Sequence, residues 1–254
     1  MAVHPTAAQG YSSKSDVFAK GRPDYPPDVA DWLREDLALS PGKTVIDLGS
    51  GTGKFLPFLK ETGASIIAVE PLDAMRARLI ADHPGIEAVA GSAEHIPLAD
   101  NSVDAIVCAQ SFHWFANPRA IEEMHRVLRR GGFLGLIWNV RDESVPWVAE
   151  LSSIIEPYAD DTPRYKDEWR LLFPGHGFTP LLEKHFSHEH TGSPERVIVD
   201  RMMSVSFIAA LPLATQDEIA EQIRALIRRN PSLAGKSEVT FPYETTAFVC
   251  HKLV

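Results

Sequence analysis

Between residues 44 and 139 the chain alternates two hydrophobic rhythms. Short apolar runs, most of them β-branched, at Thr44–Leu48, Ser65–Glu70, Ile86–Ala90, Val103–Ala109 and Phe133–Asn139 read as strands. The stretches between them place apolar residues every three or four positions, which gathers them on one face of a helix. The pattern predicts a helix over about 26–37, ahead of the first strand, with Val29, Trp32, Leu33 and Leu37 on one side. Asp73 stands where an N-cap would open a helix reaching about Ala81. A further helix begins with Asn117 as cap and Pro118 in its first turn, aligns Ile121, Met124 and Leu128, and closes on Arg129 and Arg130 before Gly131 and Gly132. Strand and helix in alternation imply parallel strands joined by crossover helices.

After Asn139 the alternation stops. Residues 146–180 are helical in rhythm, with scattered aromatics and prolines, and a strand follows over Leu182–His190. A second helical block carries Thr215 and Glu218 as a capping box before Ile219, Ile223, Leu226 and Ile227, and Thr245–Lys252 returns to strand character. Five parallel strands and two late ones around a helical insertion predict one α/β domain, a doubly wound sheet carrying a cap.

Composition narrows the function. Of 254 residues, 34 are acidic and 25 basic, a net charge of −9 with no basic block, which argues against a partner held through its phosphates, nucleic acid above all. A hydrophobic fraction of 44% supports a sizeable core. Met1–Gly10 lacks the charged start and apolar run of a signal peptide, and no run of about 18 apolar residues could span a bilayer. With only Cys108 and Cys250, both inside strand-like runs, the expectation is a cytoplasmic protein whose cysteines are buried thiols.

The chemistry is concentrated in Val45-Ile46-Asp47-Leu48-Gly49-Ser50-Gly51-Thr52-Gly53, where a strand hands over to a helix. Glycines there allow a tight turn and close approach of a ligand. A phosphate-binding P-loop would need glycine at position 48 and serine or threonine at 55, but the chain has Leu48 and Phe55. The dinucleotide fingerprint wants its third glycine three residues after the second, whereas Gly53 follows Gly51 by two. Asp47 would repel a pyrophosphate and suit an ammonium or another cationic ligand. Glu70 lies 23 residues after Asp47, where a carboxylate can accept both hydroxyls of a ribose, with Pro71 and Leu72 able to pack on an adenine face. Gly91-Ser92-Ala93-Glu94 follows the third strand, and Gln110-Ser111-Phe112-His113-Trp114-Phe115 follows the fourth, at the sheet edge where open α/β folds bind ligands. A glycine-rich turn with no ligand is the bland alternative.

These residues resemble the class I S-adenosylmethionine-dependent methyltransferases, particularly the small-molecule branch that includes trans-aconitate methyltransferase-like proteins. The resemblance runs from about Phe18 to Lys252 and is strongest over Val45–Asn139. It implies a Rossmann-like, seven-stranded, mostly parallel sheet whose last strand is antiparallel. It divides the single domain into a helical N-terminal lid (1–40), a cofactor-binding core (41–140), helical cap segments (141–180 and 190–242) and two late strands (182–190 and 245–252). By this resemblance Asp47, Gly49, Ser50, Gly51 and Gly53 flank the methionyl part of the cofactor, Glu70 holds the ribose, and Ser92 and Ala93 meet the adenine, although many members have aspartate where Ser92 stands. Gln110 and the aromatic residues after it lie near the transferred methyl. Arg22-Pro23-Asp24-Tyr25-Pro26 resembles a segment that closes over the cofactor, with Arg22 a candidate for the methionyl carboxylate.

The remaining candidates each carry a plain structural reading. His113 is the one obvious base, yet it can equally cap or pack; Trp114, Tyr25, Asn139 and Arg141 are the other candidate substrate contacts. His185, His188 and His190 have a metal-like spacing, but on a strand only His188 and His190 share a face, so no metal is expected. Met202, Met203, Phe207 and Ile208 could line a pocket, though packing is the commoner role of such residues. The expected activity is methyl transfer to a small molecule, one option being a carboxylate. A non-catalytic cofactor-binding scaffold and a nicotinamide-dependent oxidoreductase stand as alternatives.

Overall fold

The computed structural model describes residues 23–159 and 168–253. Seven strands form one sheet: β1 (Thr44–Leu48), β2 (Ser65–Val69), β3 (Glu87–Val89), β4 (Val103–Ala109), β5 (Leu128–Arg141), β6 (Leu182–Gly192) and β7 (Val239–His251), in the order β3-β2-β1-β4-β5-β7-β6. The first five pair in parallel, and β7 runs antiparallel between β5 and β6. The strand order reverses between β1 and β4, so a crevice opens at their carboxyl ends, the place where such sheets bind ligands.

One face of the sheet carries α1 (Val29–Glu35), α2 (Leu56–Lys60) and α3 (Asp73–Asp82), which bury Trp32, Leu33, Leu56 and Leu79 with Val45, Val107 and Ile137. Helix α1 therefore belongs to the core, as its apolar side predicts. A Cβ on Gly135 of β5 would stand 2.7 Å from Leu37 and 2.9 Å from Trp32, so a glycine in the strand is what lets this segment settle on it. The opposite face carries α4 (Pro118–Val127), with Ile121, Met124 and Val127 turned inward.

The Asn117 cap forms as expected, its side chain accepting the Ala120 N–H at 3.0 Å. The helix stops at Val127, three residues short of expectation, because Leu128 turns extended and pairs with Val103. Lys252 takes over at that helix end: its buried ammonium donates to the carbonyls of His125 and Leu128, each at 2.8 Å, and to Asn101 at 3.0 Å, while Arg129 turns away to Asp104. Asp73 lies inside α3 and pairs with Arg76, while extended Leu72 holds the cap position. The Thr215–Glu218 box does not form, since α6 (Leu213–Arg229) already begins after Pro212.

A third cluster sits over the amino-terminal part of β7, where Val239, Phe241 and Tyr243 meet α5 (Pro146–Ile155), the turns between Glu195 and Ala209, and α6. Met202, Phe207 and Ile208 are buried there, as packing predicts. Segment 141–180 is not one cap element. Trp147, Leu151 and Ile155 join this cluster, whereas Trp169 and Phe178 return to the α4 face, Trp169 lying 4.8 Å from the Trp138 ring. Strand β7 starts six residues earlier than the apolar pattern implied. Pro242 disguised it, standing beyond the last β5–β7 pair, Arg141 with Tyr243.

Candidate functional site

The turn after β1 is held in left-handed backbone by Gly49, Gly51 and Gly53, with φ of +69°, +56° and +85°. Gly49 and Gly53 serve the protein's own packing: a Cβ on the first would lie 2.9 Å from Ser111 and on the second 2.7 Å from His83. At Gly51 it would meet only the Met75 sulfur, at 3.5 Å, so that residue is glycine for its backbone and for what can approach it.

Glu70, directly after β2, ties this turn to the next. Its carboxylate accepts the Gly51 N–H at 2.8 Å through one oxygen and the Leu72 N–H at 2.9 Å through the other. Each oxygen keeps a further lone pair, enough for two ribose hydroxyls. Burial raises its pKa, against the pull of those two amides and Arg76.

Asp47 lies beneath the turn, 1% exposed, with Oδ2 meeting no partner among the described residues. Burial, and secondarily the charge of Glu70, push its pKa up to about 7. Ser50 Oγ is a second buried atom on the turn with no partner among the described residues. Two unpaired acceptors and an approachable glycine fit a ligand that brings a cationic, hydrogen-donating head, and they fit an aminoacyl sulfonium nucleoside better than a pyrophosphate. Beyond β3, Ser92 and His95 exchange backbone hydrogen bonds of 3.2 and 3.1 Å around the buried Ala93.

At the end of β4 the chain is braced twice. Gln110 takes φ of +58° and donates its N–H to Ile137, and the Ser111 hydroxyl donates to the Leu48 carbonyl at 2.7 Å. Phe112–Trp114 then form one 3₁₀ turn. His113 is buried, and its Nδ1 accepts the Trp138 indole N–H at 3.2 Å. Because an indole can only donate, Nδ1 of the neutral ring is the unprotonated nitrogen and Nε2 carries the hydrogen. Trp114 is half-buried, with its ring centred 4.9 Å from that of His113.

Other candidates have structural employment. Tyr25 packs edge-on against Phe55 and Phe58. Asn139 donates to the Asp24 carbonyl at 2.8 Å and accepts from Thr245 at 2.6 Å, stitching residue 24 to β5 and β7. Arg141 donates to Ser152 of α5 at 3.1 Å and lies 3.7 Å from Glu143. Arg22 lies outside the described residues. His185 turns to Glu244 and Glu183, while His188 and His190 share the inner face of β6. Arg201, a buried arginine between Asp200 and Met202, was not among the sequence candidates.

Comparison with known proteins agrees with this geometry. Residues 46–136 match a methyltransferase domain family. An uncharacterized methyltransferase-like protein of Schizosaccharomyces pombe is 37% identical over 247 residues, 94% of each chain. An uncharacterized methyltransferase of Mycobacterium tuberculosis is 38% identical over 235 residues, 92% of each. Among solved structures, one assigned as a type II methyltransferase of Anaeromyxobacter dehalogenans shares the fold with a TM-score of 0.66 at 22% identity, covering 91% of this chain and 97% of that one. Relatives that similar over nearly their whole length are members of one family, and the chain belongs to the class I S-adenosylmethionine-dependent methyltransferases, with S-adenosylmethionine as its cofactor.

Proposed function

We propose that this methyltransferase acts on a small molecule whose accepting oxygen arrives as a carboxylate. The observation that carries the reading is His113: with Nδ1 engaged by Trp138, the hydrogen of the neutral ring sits on Nε2, which makes that nitrogen a donor and not a base. A carboxylate needs a donor to orient it and no base to deprotonate it, whereas a phenol or an ammonium needs the reverse.

When bound, S-adenosylmethionine supplies a methyl group on a sulfonium, already an activated electrophile. The residues that would hold it are Asp47 and Ser50 at the aminoacyl end, Glu70 at the ribose, and Leu72, Ser92 and Ala93 around the adenine; Pro71 is exposed at the rim. What remains for the chain is to aim the acceptor oxygen and exclude water, and orientation of this kind can supply about 7–11 kcal/mol of a barrier. Cytoplasmic residence is part of the proposal: Cys108 and Cys250 are buried free thiols, and among the described residues no helix is long and apolar enough to cross a membrane.

A screen with methyl-labelled cofactor against small carboxylates, phenols and amines tests the reading. The expected product is a base-labile methyl ester; label that survives mild alkali, as in an ether or an N-methyl amine, overturns it.

A further inference from the structure

Register places a row of side chains across three strands, on the face that carries α1. Arg141 of β5 stands opposite Tyr243 of β7, and Tyr243 stands opposite His188 of β6; His190 follows, opposite Phe241. Above them runs Glu195–Asp200, a π-helical turn continuing into Arg201–Met203. Turns of this kind recur at functional sites, where the extra residue re-aims a side chain.

Arg201 is 5% exposed. Among the described residues its Nε meets no partner, Nη1 reaches only the Ser204 hydroxyl at 3.4 Å, and no carboxylate forms an ion pair with it. A buried guanidinium without a counter-charge carries a penalty on the order of several kcal/mol. Its neighbours do not relieve it. The charges that bear on His190 are Arg196, Lys54, Arg201 and His188, and these, after burial itself, hold its imidazole down to about 4. His188 donates to the Asp24 backbone carbonyl, and the charges of Asp24 and Glu189 bear on it, but the Asp24 carboxylate already faces Lys54 at 3.6 Å. His190 Nδ1 and His188 Nε2 are buried and likewise unpartnered. In a chain of net charge −9, an enclosed guanidinium beside buried, unpartnered imidazole nitrogens calls for an anion. Lys54 directly follows Gly53, so the group adjoins the end of the cofactor turn.

We infer that Arg201, flanked by His190 and His188, is the anion-recognition subsite of the acceptor pocket and binds a carboxylate of the substrate. The assignment rests on the carboxylate reading given above and adds the residues that select for it. The planar guanidinium pairs a carboxylate through two parallel N–H groups, and the neutral His190 ring, with its hydrogen on the unpartnered Nδ1, supplies a donor at its flank.

The test uses the protein saturated with S-adenosylhomocysteine, titrated with acetate, succinate and citrate, and in parallel with inorganic phosphate and sulfate, while the ring resonances of His188 and His190 are followed by NMR. At least one carboxylate should shift both rings and raise the pH at which His190 protonates. Arg201→Gln should weaken that binding tenfold or more and leave S-adenosylhomocysteine affinity within twofold, with Arg201→Lys intermediate. Rings that no carboxylate moves, tighter binding of phosphate or sulfate than of every carboxylate, or unchanged carboxylate affinity in Arg201→Gln overturn the assignment; the wild-type titration decides even if both variants fail to fold. The parent reading fails separately, by an alkali-stable methylated product, whereas an ester formed with the same KM in Arg201→Gln sinks only the subsite.

Discussion

Asp47 is a carboxylate placed where the fold alone would prefer none. Its pKa lies at about 7, raised first by burial and then by Glu70. A raised folded-state pKa means that stability is fully present below the unfolded pKa near 4 and is lost as pH rises toward 7. Asp47→Asn should therefore raise the melting temperature of cofactor-free protein at pH 8 and leave it nearly unchanged at pH 4. The same substitution should weaken S-adenosylmethionine binding tenfold or more, because the aminoacyl ammonium loses its counter-charge. Equal melting temperatures at pH 8 would show that burial of the charge is relieved elsewhere. His113 allows a sharper contrast. Asparagine can still accept the Trp138 indole through its amide oxygen and donate through its amide nitrogen, while alanine does neither. His113→Ala should mainly raise the acceptor KM, and His113→Asn should recover most of the loss with no acid limb in its turnover profile. A large fall in kcat for both variants, with an acid limb present only in wild type, would make His113 a base.

At the scale of elements, what was legible was what is local. The turn at Asp47–Gly53 and the Asn117 cap depend on residues within a few positions of one another, and both stand in the structure as read. Three features were not local. Helix α4 loses its last turn because Leu128 has a strand to pair with, the capping box at Thr215 is pre-empted by a helix starting at Leu213, and α1 settles on β5 because Gly135, a hundred residues away, makes room for it. Lys252 belongs to this class, since nothing near it in sequence announces that it closes α4. Its ammonium makes three hydrogen bonds in a buried setting. Bonds to a charged group contribute about 1.5–3 kcal/mol each before the cost of burying the charge, so Lys252→Met should destabilise the fold by roughly 2–3 kcal/mol net. Chemical denaturation measures this, and cofactor affinity should stay unchanged because the residue sits at the sheet end opposite the site. A stability within about 0.5 kcal/mol of wild type would mean that Met packs well enough to replace the cap.

Across the whole molecule, the proposed site puts the cofactor on the sheet and leaves to the acceptor a capping cluster that packs over the amino-terminal part of β7. Most of the proposed cofactor residues stand in short stretches at strand ends, which a sequence displays; the part proposed for Arg201 was illegible because it depends on β6 pairing with β7 and on a helical turn laid over both. This division makes a prediction. Trp147 of α5 packs against Phe241 of β7 with rings 5.0 Å apart, joining the capping helices to the sheet. Truncating a buried tryptophan typically removes about 3–5 kcal/mol of packing, and here the loss should fall on the cap while the sheet and α1–α4 remain formed. Trp147→Ala should speed amide hydrogen exchange in 146–155 and 195–229, leave β1, β2 and β4 protected, and raise the acceptor KM. S-adenosylhomocysteine affinity, measured by calorimetry, should stay within twofold of wild type. If it falls in step with cap protection, the cap is part of the cofactor site, and the link would run through Lys54 and Asp24, which join the glycine turn to the segment bound by Asn139.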